Sequence, residues 1–178
     1  MNKAPWEEFP EIWNTKYKFM SWLRGGIRRG LWNRSPIKLE VIKRKRKRII
    51  SPKTGKEVWG GECYICGDDF VQSELQVDHV KGEHTLKDIG DIQSFIEAMT
   101  CLSLDDLDLV CKACHKNKSY AERYGITIEQ AEKEKMVIEF GKLNTGEQNK
   151  CLKTLLINPP KTAKARKDAY REYLNYKK

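Results

Sequence analysis

A chain of 178 residues suits one modest domain with extensions or two small ones, and 39% hydrophobic content builds only a thin core. Its formal net charge of +9 is carried unevenly: residues 1–60 stand at +11, residues 61–115 at −9 and residues 116–178 at +7. No apolar run approaches a membrane span, and Met1-Asn2-Lys3-Ala4-Pro5-Trp6 lacks the apolar stretch of a secretion signal, so a reducing, cytoplasmic setting without a membrane partner is expected. In such a setting paired cysteines point to metal and not to disulfides. An acidic centre between two basic arms suits a metal site delivered to a polyanion.

Residues 8–32 repeat Phe9, Ile12, Trp13, Tyr17, Met20, Leu23, Ile27 and Leu31 at helical spacing, which predicts an apolar docking stripe. Gly25-Gly26 and Gly30 weaken its second half and predict a kink or two shorter helices. Residues 37–50 read as extended structure, with Leu39, Val41, Ile49 and Ile50 flanking six consecutive basic residues. That run, Lys43, Arg44, Lys45, Arg46, Lys47 and Arg48, is expected to touch nucleic-acid phosphates. A solvated strand or linker, or a nuclear-targeting signal, is the plainer reading.

After a turn at 51–56, residues 57–78 read as β structure. Cys63-Tyr64-Ile65-Cys66-Gly67 has the glycine that a tight metal knuckle needs. Leu75-Gln76-Val77 alternates and ends in Asp78-His79. Thr85 and Asp88 form a capping pair, and Leu86, Ile89, Ile92, Phe95 and Met99 predict a helix inserted near 86–100 for packing. Residues 105–111 form a second short strand or loop. A helix over 113–124 ends at Gly125, a capping box at Thr127 and Gln130 opens another to about Lys142, and residues 144–148 read as a loop. Asn158-Pro159-Pro160 breaks the chain before a last basic helix over 163–176.

Four cysteines carry the clearest chemistry: Cys63 and Cys66, then 44 residues, then Cys111 and Cys114. A closed four-sulfur set holds a structural Zn2+, and such an ion contributes folding energy to a unit with a poor core. Cys101 and Cys151 fall outside the set. Closing the quartet brings the strand ending at Asp78-His79 toward the helix that starts near His115. Asp78 offers a carboxylate oxygen and His115 an imidazole nitrogen, a donor pair suited to Mg2+ or Mn2+. A neutral His79 is suited to take a proton from water, provided the chain turns at the pair. Together these groups predict phosphodiester hydrolysis.

Cys63-x-x-Cys66, Val77-Asp78-His79, Asp105-Asp106-Leu107 and Cys111-Lys112-Ala113-Cys114-His115-Lys116-Asn117-Lys118-Ser119 resemble the HNH endonucleases with a zinc-binding cysteine quartet, and more narrowly those encoded by bacteriophages. The resemblance covers about residues 58–125. It implies an α+β fold: a small zinc-stabilised ββα-metal core with helical N- and C-terminal extensions. With the charge pattern and helical spacing, the chain is expected to divide into a basic helical DNA-contacting arm over 1–52, the HNH nuclease domain that the resemblance implies over 53–125, and a helical basic extension over 126–178. The resemblance further implies Asp78 and His115 as ligands of one catalytic divalent ion, His79 as general base, 5′-phosphate and 3′-hydroxyl products, and a phage-infected bacterial cytoplasm with packaging or homing partners. The chain departs from the pattern at Asp106, where the family usually has an asparagine that pins the loop and orients the base. It departs again at Ser119, where some members have a second helix histidine, so the ion would have two protein ligands. Lys116 and Lys118 are candidate phosphate contacts or ordinary surface lysines, and His84 is a candidate further ligand, a phosphate contact or a loop histidine. The expected activity is cleavage of double-stranded DNA; the alternative is a non-catalytic, zinc-stabilised nucleic-acid-binding protein.

Overall fold

A computed structural model describes residues 3–82 and 85–176, and the chain divides into two units, 1–112 and 113–178. Residues 1–52 fall within the first unit. That unit combines helices with two small antiparallel sheets, and the second is helical, which makes the chain α+β. No helix among the described residues is long and apolar enough to cross a membrane.

In the first unit a short helix α1 (Pro5–Glu8) precedes α2 (Lys16–Gly30), which starts where Thr15 Oγ1 accepts from the Lys18 N–H at 3.2 Å. The expected break at Gly25-Gly26 is absent; the interruption lies before Lys16. Glycine costs a helix roughly 1 kcal/mol relative to alanine. Here Met20, Leu23 and Ile27 bury against Phe95, Met99 and Leu86, and that packing outweighs the cost. The extended reading of 37–50 is also corrected. Pro36 takes the first turn of α3 (Pro36–Lys45), where its missing N–H costs nothing, and only β1 (Lys47–Ile50) is extended. Val41 drives the choice, being 1% exposed in a cluster with Val77, Leu107 and Leu109.

Strand β1 pairs with β2 (Glu57–Glu62), and β2 with β3 (Asp69–Val71), giving an antiparallel ribbon. A second sheet pairs β4 (Leu75–His79) with β5 (Leu107–Cys111). Gly61 lets the two approach, since a Cβ there would lie 2.6 Å from Leu109 Cδ1 and 3.3 Å from Leu75 Cδ1. The inserted helix α4 (Ile92–Thr100) begins later than Thr85, after a 3-10 turn capped by Asp88, whose Oδ1 accepts from the Ile89 N–H at 2.7 Å. Leu86, Phe95 and Met99 of this insertion are core.

Helix α5 (Lys112–Tyr124) carries the chain into the second unit and stops at Gly125, whose φ of 64° is costly for other residues. The capping box at Thr127 and Gln130 opens α6 (Ile128–Lys142). The loop expected over 144–148 is the start of α7 (Thr145–Thr154). Asn144 and Glu147 exchange side-chain bonds of 3.0 and 3.1 Å with each other's N–H groups, a capping box that sequence reading missed. Arg166 on α8 (Ala163–Tyr176) is 5% exposed and donates to Gln148 Oε1 at 2.7 Å, Lys161 O at 2.8 Å and Pro160 O at 3.1 Å. It fastens the Asn158-Pro159-Pro160 break onto α7. Arg166→Met leaves the buried Gln148 Oε1 without its donor and the two part-buried carbonyls without theirs, and is expected to lower the unfolding free energy by about 2 kcal/mol. A urea denaturation midpoint unchanged in this variant would show the network to be dispensable.

Candidate metal centre and candidate active site

The β4–β5 ladder sets the geometry of both sites. Its register places Cys111 opposite Leu75, Asp78 opposite Asp108, and His79 opposite Leu107. The cysteine end and the histidine end of the ladder are thus four residues apart, roughly 14 Å at strand rise.

At the first end the sulfurs of Cys63, Cys66, Cys111 and Cys114 all lie within 4.8 Å of one another, and none is in a disulfide. Cys63-Cys66 sits in a knuckle closed by Gly67, with φ of 75°, its N–H reaching the Cys63 carbonyl at 2.8 Å. The Tyr64 N–H donates to the Leu109 carbonyl at 2.9 Å, fastening the knuckle to β5. Cys111 ends β5, and Cys114 lies in the first turn of α5. Sulfurs bound tetrahedrally at about 2.3 Å lie roughly 3.8 Å apart, so the cluster fits a zinc ion after small adjustment. Burial alone would push the Cys63 thiol up, but N–H groups of Cys111, Cys66 and Ile65 aimed at the sulfur outweigh it and bring it down to about 7. The Cys111 N–H donates to that sulfur at 3.3 Å. Preformed donors around a deprotonating thiol are what a thiolate-bound metal requires. Cys101 is exposed and Cys151 half-buried, and neither belongs to the cluster.

At the other end the ladder continues through both members of the Asp-His pair, and the Val80 N–H extends it to the Asp106 carbonyl at 2.8 Å. The turn expected at the pair therefore comes after it. Strand alternation sends Asp78 and His79 to opposite faces, His79 with buried Val77 on the side packed by α3. The imidazole is 9% exposed, and its Nε2 lies 2.7 Å from the Ala98 carbonyl. A carbonyl only accepts, so Nε2 carries the hydrogen, and in the neutral ring Nδ1 is the basic nitrogen. Trp32 stacks on the ring with centroids 4.5 Å apart and planes 14° from parallel.

Asp106 pins its own loop. Its Oδ2 accepts from the Ser103 N–H at 2.7 Å and the Ser103 hydroxyl at 2.8 Å, which hold the carboxyl below the usual carboxylate range. Its link to the pair runs through its main-chain carbonyl. Ala98 and Trp32, the groups that orient His79, carried no sequence signal: one acts through a backbone oxygen, and the other follows the helix whose stripe was read as ending at Leu31.

Asp78 and Asp108 face each other as like charges across the ladder, an arrangement that normally destabilises. Lys45 relieves it by bonding Asp108 at 2.6 Å. Arg28, exposed, and Lys38, half-buried, lie near Asp78; desolvation lowers the pKa of each, and the carboxylate partly offsets this. Among the described residues the four cysteines are the one group of three or more metal-ligating side chains. An ion at Asp78 would accordingly draw most of its ligands from water or substrate.

His115 lies in the first turn of α5, within the second unit, half-buried. Lys116 beside it is exposed. Lys118 is not a surface lysine: its side chain is 7% exposed and bonds Glu122 at 3.0 Å. His84 lies outside the described residues. The basic run is divided between a helix and a strand. Arg44 bonds Glu40 at 2.8 Å, and Lys47 bonds Asp69 at 2.7 Å and Glu62 at 3.4 Å. Arg46 and Arg48 instead lie over Trp59, and Lys43 is exposed.

The chain matches no family model, no curated protein and no solved structure. Its cysteine cluster makes a direct prediction: metal analysis of the purified protein is expected to return one zinc equivalent, and Cys63→Ser to abolish it. Removing the ion is expected to cost the first unit much of its stability, since structural zinc contributes on the order of 10 kcal/mol in small peptides. A thermal melt indifferent to chelator would argue against a structural metal.

Proposed function

We propose that the protein is a metal-dependent DNA endonuclease of the HNH type, stabilised by zinc at its four cysteines. The observation that carries the reading is the setting of His79. Its Nε2 hydrogen is committed to the Ala98 carbonyl, which makes Nδ1 the proton acceptor, and the adjacent residue is a carboxylate.

In this reading His79 takes a proton from the attacking water, whose oxygen bonds to phosphorus as the P–O3′ bond breaks. The 3′ oxygen leaves and is protonated from solvent, giving 5′-phosphate and 3′-hydroxyl ends. Asp78 and His115 would hold a Mg2+ or Mn2+ ion, which when bound stabilises charge on the phosphate and the leaving oxygen. Asp78 offers the hard oxygen donor such ions prefer, and the cations Arg28 and Lys38 lie near it. Asp106 maintains the loop that bonds the chain just past His79.

Two observations favour a second reading, a zinc-stabilised DNA-binding protein without catalysis: His79 is 9% exposed beneath Trp32, and the ladder runs through the pair without a turn, so Asp78 and His79 lie on opposite faces of β4. Nicking of supercoiled plasmid with Mg2+ or Mn2+ separates the two. Wild-type protein is expected to cut, and His79→Ala to cut roughly 100-fold or more slowly with DNA affinity retained. Unimpaired cutting by His79→Ala rejects the assignment of the base. A wild type that binds DNA but never cuts it establishes the second reading.

A further inference from the structure

The six-residue basic run has two faces. On β1, Lys47 and Ile49 share one face of the ribbon with Val58, Gly60 and Glu62, while Arg48 and Ile50 share the other with Glu57, Trp59 and Gly61. Lys47 is consumed within the protein by Asp69 and Glu62. On the opposite face the guanidinium carbons of Arg46 and Arg48 lie 4.2 and 4.1 Å from the Trp59 ring centroid, and neither side chain makes an ion pair among the described residues. Trp59 is the cross-strand partner of Arg48 and is 38% exposed. The inner end of this face is closed by Leu109 and Leu75 packing against Gly61, so the outer end is what meets solvent. Its carboxylate, Glu57, lies at the far end opposite Ile50.

We infer that this Arg46–Trp59–Arg48 face of the ribbon is a docking surface for the phosphate backbone of duplex DNA, and that Arg44, Lys45 and Lys47, each bonded to a carboxylate of the protein, are not part of it. The indole holds two long cations in place without neutralising them, which removes rotamer freedom before binding and leaves the guanidinium N–H groups for phosphate oxygens. Because two guanidinium groups already lie against the ring, a nucleobase has to displace one of them to stack on Trp59. The surface therefore suits a duplex backbone and not unstacked single strands. Lys43, exposed on the last turn of α3, extends the positive charge. The proposal names a substrate-binding face for the nuclease reading and rests on it for DNA as partner.

The test uses the full chain, with binding of a duplex oligonucleotide followed by anisotropy across a KCl series without added Mg2+ or Mn2+. Arg46→Ala and Arg48→Ala are each expected to weaken binding roughly threefold or more and to lower the salt slope by about 1. Lys47→Ala, the residue between them, is expected to change neither. Trp59→Leu is expected to weaken binding while leaving the salt slope in place, because both cations remain but are no longer held. Arg48→Lys, which keeps the charge, is expected to retain the slope, and thermal melts confirm that each variant is folded. Equal losses from Lys47→Ala and its two neighbours would make the run an undifferentiated basic tag and overturn the proposal. So would undiminished binding by the Arg46→Ala, Arg48→Ala double variant, or tighter, Trp59-dependent binding of a single strand of equal length. Plasmid cutting is read separately. Face-selective binding by a wild type that never cuts rejects the nuclease reading alone, and cutting that requires His79 but ignores this face rejects the surface alone.

Discussion

The register of one short ladder governs both sites. Leu75–His79 runs against Leu107–Cys111, and a slip of one residue would turn Val77 and His79 away from the side that α3 covers. Several features fix it. The cysteine cluster holds the Cys111 end, Val41 plugs the middle between Val77, Leu107 and Leu109, and the Val80–Asp106 and His79–Ala98 bonds hold the far end. The strands are separated in sequence by residues 80–106. Closing so long a connection is entropically tolerable, because the cost rises only as the logarithm of length. The insertion also contributes the carbonyl that sets the His79 tautomer, so it orients the site as well as packing the core.

Charge follows the same logic. Along the chain, basic residues 1–60 and acidic residues 61–115 look like a positive arm beside a negative centre. In the folded first unit much of that contrast is spent on internal pairing: Lys16 with Asp88, Lys45 with Asp108, Lys47 with Glu62 and Asp69, and Lys53 with Glu74. Several of these pairs are exposed and contribute little stability individually. Their consequence is selective: they withdraw particular cations from the surface. What remains is a sparser set that includes Arg46 and Arg48, held against Trp59.

The parts legible in the sequence were those written by local chemistry. Cysteine spacing announced the four-sulfur cluster, Gly67 and Gly125 marked positions of positive φ, and Thr127 with Gln130 marked a helix start. The misreadings came where tertiary packing overrode local preference. Gly25 and Gly26 did not break α2 because Met20, Leu23 and Ile27 are held by Phe95 and its neighbours. Alternating apolar residues around a basic run suggested a strand, yet Val41 found its partners only as part of a helix. The groups around His79 were illegible for another reason. A backbone carbonyl at Ala98 is chemically identical in every residue, and the stacking of Trp32 depends on a turn after α2 that no periodicity foretells.

The separation of the two ends of the ladder also bears on what the cysteines do. At roughly 14 Å along the strand, a metal held by the sulfurs is too far to polarise a group at His79. Four thiolates would moreover leave it no open coordination position. Its influence reaches His79 mechanically. Cys111 is both a cluster member and the residue paired with Leu75, so an ion that fixes the cluster fixes the first rung of the ladder. The rungs that follow place Asp78 beside Asp108 and His79 beside Leu107. Loosening the first rung frees β4 to shift, and a shift breaks the His79–Ala98 bond and the Trp32 stack together, because both require the imidazole on the same face. The cluster thus acts as a register pin, and the placement of His79 at the far end depends on it through geometry alone.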